Sequence, residues 1–206
     1  MDTQNRTIQL RDFGMNHRTR TIPALVFSLG ALSATGLAAQ TPAPYTRSTE
    51  SYSVPDVTLV DQDGMGVSLK AMLESREPVI VDFIFGTCTT ICPVLSAGYA
   101  NLQLKRPPGA APLHLVSISI DPEHDTPKVM RDYLKRYRSR PGWQFLTGRR
   151  EDIDKVMRAF NAYIPNKMAH YPLTFIRVPR TGKWTRIFGL MSSTEFVAEC
   201  RKEGIL

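Results

Sequence analysis

The chain has 206 residues, 42% of them hydrophobic and 22% charged, with a formal net charge of +7. That content supports one globular domain with a real core plus an extension. The basic excess is modest and reads as a solvated surface. No aromatic-interleaved basic stripe or zinc-finger spacing accompanies it, so nucleic acid is not an expected partner.

The N-terminus reads as an address. Arg18 and Arg20 precede an uncharged stretch whose apolar part, Ile22 to Leu37, ends in Gly36-Leu37-Ala38-Ala39-Gln40. A basic region, an apolar region and small residues at the end fit a secretory signal. The alternative is a membrane anchor through residues 22–39, although the segment is short for a span and diluted by Pro23, Ser28, Gly30 and Gly36. Residues 1–39 are therefore expected to be a signal or anchor. In either case the folded part is exported, where dithiols tend to oxidise.

Residues 40–53, rich in Thr, Pro and Ser, are expected to form a flexible leader, and the domain is expected over 54–206. Val57-Thr58-Leu59-Val60 and Val67-Ser68-Leu69 flank Asp63-Gly64, which predicts an N-terminal β-hairpin. A short helix follows over Ala71 to Glu74. Pro78 to Phe85 is almost continuously apolar, as a central strand covered on both faces requires. Next comes Cys88-Thr89-Thr90-Ile91-Cys92-Pro93, read with a helix that opens on the cysteines and runs to Lys105. Two thiols four residues apart on a helix share a face, and the positive end of the helix favours thiolate over thiol. Such a pair suits either a soft metal or a disulfide that opens and closes.

Leu113 to Ile120 predicts the next strand. It leads into Asp121-Pro122-Glu123-His124-Asp125-Thr126-Pro127, where Thr126 is a natural N-cap and Pro127 a natural first helical residue. That helix is expected to reach Tyr137. A short strand at Trp143 to Leu146, a helix over Glu151 to Phe160, a hairpin of Leu173–Val178 with Trp184–Phe188, and a closing helix over Ser193 to Glu203 complete the chain. Strands alternating with helices, then a hairpin and a final helix, predict an α/β sandwich with a mixed central sheet flanked by helices. A dithiol placed directly after the central strand points to the thioredoxin-like class.

The segment Phe83 to Pro93 resembles the metal-site segment of the Sco/SenC copper-chaperone family. Ser119 to Pro127 resembles the DPxxDTP turn of that family, and His170, 78 residues beyond Cys92 and just before an apolar strand, stands where the family places its metal-binding histidine. The resemblance covers about Val54 to the C-terminus. It implies a periplasmic or membrane-facing copper-binding protein with Cys88, Cys92 and His170 as ligands to Cu(I) or Cu(II). The implied partners are the copper-site subunit of cytochrome c oxidase, a copper donor and a thiol–disulfide reductant. Thiolates suit Cu(I), and an added imidazole suits Cu(II) as well. A non-enzymatic chaperone is the leading expectation. The alternative is a thiol–disulfide oxidoreductase with Cys88 and Cys92 as its redox pair and Cys88 as the attacking thiol.

Other residues have plainer expected roles. Asp121 and Asp125 read as turn and cap residues. Asp82 is either a buried carboxylate beside the dithiol or a solvent-facing edge residue. Met168 reads as a loop-packing residue that would otherwise offer a thioether to Cu(I). His114 and His124 have no partner identifiable from sequence, and Cys200 reads as a lone structural thiol. The family commonly has His-Ser or His-Thr where this chain has His170-Tyr171-Pro172. Pro172 resembles the cis-proline of thioredoxin, which would favour redox chemistry over metal tenure.

Overall fold

The computed structural model describes residues 44–206. The expected signal or anchor, and the first part of the expected leader, lie outside them. No helix among the described residues is long and apolar enough to cross a membrane.

The chain order is β1 (Tyr45–Glu50), β2 (Thr58–Val60), β3 (Gly66–Ser68), α1 (Leu69–Leu73), β4 (Val79–Ile84), α2 (Ile91–Lys105), β5 (His114–Ser119) and α3 (Pro127–Arg136). It continues with β6 (Trp143–Leu146), α4 (Arg150–Ala159), a 3-10 turn (Lys167–Ala169), β7 (Leu173–Arg177), β8 (Trp184–Gly189) and α5 (Ser193–Lys202). Six strands form one mixed sheet in the order β1-β8-β7-β4-β5-β6, and β2 pairs with β3 as the expected separate hairpin. β4 runs parallel to β5 and antiparallel to β7, so it is the central strand that its unbroken apolar run requires. Every residue of β4 is buried.

Side chains alternate across the sheet. On one face Phe83, Phe160, Phe175 and Trp184 form a cluster of mostly edge-to-face rings. Another aromatic group joins Tyr99 of α2 to Trp143 and Phe196. The helix starts follow the sequence signals. Thr126 Oγ1 accepts from the Val129 N–H with Pro127 first in the helix, and Ser192 with Glu195 forms a capping box.

Two expectations are corrected. Tyr45–Glu50 was expected within a flexible leader, but it forms an edge strand in antiparallel register with β8, Tyr45 opposite Gly189 through Glu50 opposite Trp184. Its side chains are anchored as well as its backbone. The Tyr45 hydroxyl donates to Glu199, 2.8 Å away, and Arg47 pairs with both Glu199 of α5 and Glu203, which caps that helix. These are long-range partners, and a local reading of a polar Thr/Ser segment cannot see them. Second, only one of the two cysteines is helical. α2 is capped at Thr90, so Cys92 lies in its first turn while Cys88 precedes the cap.

Candidate metal and dithiol site

Three elements meet at the C-terminal end of β4. Phe85 and Gly86 leave the strand, and the Cys88 N–H donates to the Phe85 carbonyl, closing a turn. That turn brings Cys88 to 9% exposure while Cys92 is fully buried. Asp125 reaches across from the turn before α3 and accepts from the Gly86 N–H through both carboxylate oxygens, at 3.0 and 3.2 Å, and from the Ser119 hydroxyl at 2.6 Å. A Cβ on Gly86 would meet Asp125 Oδ1 at 2.7 Å and Val129 Cγ1 at 2.9 Å, so the approach needs a glycine. Asp125 is thus a brace for the cysteine turn. Thr126 fills the cap position, as its sequence signal predicts, which leaves the Asp125 carboxylate to the cysteine turn.

His170 enters from the 3-10 turn before β7. Its Nδ1 faces only the Lys167 carbonyl oxygen, at 2.7 Å, and must carry the proton. The neutral ring therefore presents the Nε2 lone pair, which lies 3.3 Å from Cys92 Sγ. Phe85 packs edge-on against the imidazole, with ring centroids 5.2 Å apart. The ligand atoms of Cys88, Cys92 and His170 all lie within 4.8 Å of one another, and among the described residues they form the one Cys/His/Asp/Glu group placed to share a metal ion. Two soft sulfurs and one imidazole nitrogen suit copper. Donors 2.0–2.3 Å from a common centre stand about 4 Å apart, so this spread closes with small side-chain shifts.

Lys167 is the residue that sequence reading missed. Its carbonyl fixes the His170 ring, and its ammonium pairs with the buried Asp121 carboxylate and lies 5.4 Å from the Phe85 ring centroid. Asp121 also pairs with His124 Nδ1, 3.0 Å away. The turn carrying Asp121 is thereby tied to the turn carrying His170. A lysine three residues before a histidine is no signal on its own; only the folded contact reveals it.

The two thiols differ electrostatically. Burial opposes ionisation of Cys88, but hydrogen bonds from the Cys92 side chain and from the Thr90 and Cys92 backbone outweigh it and hold this thiol below its usual range. Burial pushes Cys92 far up, and the neighbouring Cys88 adds to the shift. Burial also lowers the His170 pKa, against the opposing hydrogen bond to Lys167, which keeps the imidazole neutral and available as a ligand.

The remaining expectations sort clearly. Asp82 is buried on the central strand and is not at an edge. Neither of its oxygens has a hydrogen bond, and burial raises its pKa to about 7. Met168 is 71% exposed, so it does not pack in the loop as expected. His114 pairs with Glu77 at 2.7 Å. Cys200 is a buried free thiol, as expected of a structural residue. No peptide bond among the described residues is cis, so Pro172 is trans.

This fold and site define a thioredoxin-like protein with a dithiol and a histidine at the end of the central strand. The sequence profile of SCO1/SenC matches residues 46–199. A SCO1 protein homolog of Bacillus subtilis is 35% identical over 117 residues, covering 55% of this chain and 60% of that protein. Among solved structures, BsSco, a member of the Sco family of cytochrome c oxidase assembly proteins in which a disulfide switch was identified, is 28% identical. It superposes with a TM-score of 0.62 over 76% of this chain and 96% of its own. Bradyrhizobium japonicum ScoI with copper bound shares the fold, with a TM-score of 0.58 at 24% identity over 75% of this chain and all of its own. The chain belongs to the SCO1/SenC family. Its match spans only three-fifths of the Bacillus relative's length.

Proposed function

We propose that this protein is an exported copper-binding assembly factor for a respiratory oxidase, with Cys88, Cys92 and His170 as its copper ligands. The observation that carries this reading is the convergence of two thiols and an imidazole nitrogen within 4.8 Å, with the nitrogen lone pair fixed toward the sulfurs. Copper is cargo here. It arrives from a donor protein and leaves by ligand exchange to the copper-site subunit of cytochrome c oxidase. Residues 22–39 serve as a cleaved signal or as the anchor that keeps the domain at the periplasmic face of the membrane. Membership of a family that includes an oxidase assembly protein supports the destination.

The experiment is a copper competition with the reduced full chain. One Cu(I) per chain is expected to be held against a chromogenic chelator. Cys88→Ser and Cys92→Ser should each release it, and His170→Ala should weaken it and abolish stable Cu(II) binding. No copper held by the wild-type chain, or equal retention by the cysteine variants, overturns the site. Normal oxidase copper content in cells lacking the gene overturns the destination.

The second reading is thiol–disulfide exchange on exported dithiols, including the oxidase copper-site cysteines, with a reductant restoring the pair. It is favoured by the split between an easily ionised Cys88 and a suppressed Cys92, the arrangement an attacking and a resolving thiol require. The two activities share one site, because a disulfide removes both thiolate ligands.

A further inference from the structure

A groove of about 380 Å³ opens beside Cys88, bordered by Gly86, Thr87, Thr89, Arg136 and Tyr137. That volume lies in the range of small-molecule sites. No acidic residue lines it. Its one charged group is the Arg136 guanidinium, which is held in place from two sides. It stacks 4.9 Å from the Tyr133 ring centroid and donates one hydrogen bond to the Gly86 carbonyl, 3.2 Å away. Those contacts use one of five N–H donors and no negative charge. Among the described residues Arg136 makes no ion pair, although its helix neighbours Lys135 and Arg131 both do. An exposed guanidinium fork with no ion-pair partner matches a carboxylate. The groove therefore has both a carboxylate partner and a thiol among its bordering residues.

We propose that this groove binds a small acidic disulfide or thiol of peptide size and presents its sulfur to Cys88 while Arg136 holds its carboxylate. The inference deepens the thiol–disulfide reading and rests on it. The exchange balances as follows. The Cys88 thiolate attacks one sulfur of an acidic disulfide RSSR, forming Cys88–S–S–R and expelling RS⁻. Cys92 then gives up its proton and attacks Cys88 Sγ. The Cys88–Cys92 bond forms, the second RS⁻ leaves, and protons from solvent and from Cys92 yield two RSH. The protein dithiol loses two electrons and the disulfide gains them. Run in reverse, an acidic thiol restores the dithiol that copper binding needs.

The test uses the reduced full chain and compares rate constants for three disulfides: anionic glutathione disulfide, neutral hydroxyethyl disulfide and cationic cystamine. Mixed-disulfide mass and free-thiol loss are the readouts. The wild-type chain should react with glutathione disulfide at least tenfold faster than with the neutral reagent, and slowest with cystamine. Arg136→Gln should lower the anionic-to-neutral ratio by about tenfold, and Arg136→Glu should invert the preference toward cystamine. Arg180→Gln removes the same charge from the β7–β8 turn at the opposite end of the sheet and should move the ratio by less than twofold. Equal ratios in the wild-type chain and Arg136→Gln overturn the proposal. Failure of the wild-type chain to react with any of the three defeats the exchange reading itself, a different outcome from reaction without charge preference.

Discussion

His170 Nε2 stands 3.3 Å from Cys92 Sγ although 78 residues separate the two in the chain. The contact exists because the turn before β7 is fastened on its other side. The Lys167 carbonyl orients the ring, and the Lys167 ammonium holds the turn to Asp121.

Lys167→Leu should keep the fold and the backbone carbonyl that orients the ring, but it removes the ammonium that ties the turn to Asp121 and so loosens the histidine. Losing an outer support of a ligand typically costs 10–100-fold in metal affinity, and with the carbonyl retained the low end applies. Cu(II) binding, which depends most on the imidazole, should weaken by about tenfold while Cu(I) retention by the dithiol falls less. Visible absorption of the Cu(II)–thiolate bond and chelator competition read the two effects separately. Equal loss of both, or of neither, contradicts the fastening role.

Gly86→Ala places a methyl group against the Asp125 carboxylate and Val129. Such crowding in a packed region costs about 1–3 kcal/mol. Urea denaturation should show the loss. The same substitution at Gly64, where an added Cβ meets nothing within 4 Å, would act only through its positive φ. An unchanged midpoint for Gly86→Ala would mean that the Asp125 brace gives way freely.

Asp82 makes stability depend on pH in a stated direction. Its folded pKa, about 7, lies above the ordinary value of 3.8. The native state therefore keeps a proton that the unfolded chain has already released, and stability falls as pH rises from about 4 through about 7. A shift of that size corresponds to about 4 kcal/mol at most, at 1.36 kcal/mol per pH unit. Asp82→Asn should flatten this part of the stability profile, so that the variant gains on the wild type as pH rises. Parallel profiles between pH 4 and 8 would refute it.

The two thiols should alkylate unequally. Cys88 is the more exposed and the more readily ionised, while Cys92 is fully buried and held protonated. At pH 7, iodoacetamide should modify Cys88 at least tenfold faster than Cys92, located by peptide mass. In Cys88→Ser the remaining site thiol should stay slow. Comparable rates would remove the structural basis for assigning the attack to Cys88.

Sequence alone determined most of the elements and the candidate residues of the site. The apolar run of β4, the Thr126–Pro127 helix start and the cysteine pair are local patterns, so a single chain displays them. His170 was legible only through its spacing within a family pattern, because an isolated histidine before a strand carries no sign of its partner. The tertiary structure decided the rest. It converted part of the leader into β1, whose partners lie about 140 residues away on β8. It put Cys88 outside the helix and Cys92 inside it, and it buried Cys92 while giving Cys88 hydrogen bonds that favour its thiolate, which separates their acidities. It turned Asp121 and Asp125 from turn and cap residues into braces for the candidate site, it added Lys167, which the sequence left unremarked, and it buried Asp82 without a hydrogen bond. These outcomes share one physical cause. Hydrogen bonding, ion pairing and burial depend on distances in space, and the sheet order β8-β7-β4-β5 brings together segments that no sequence window contains.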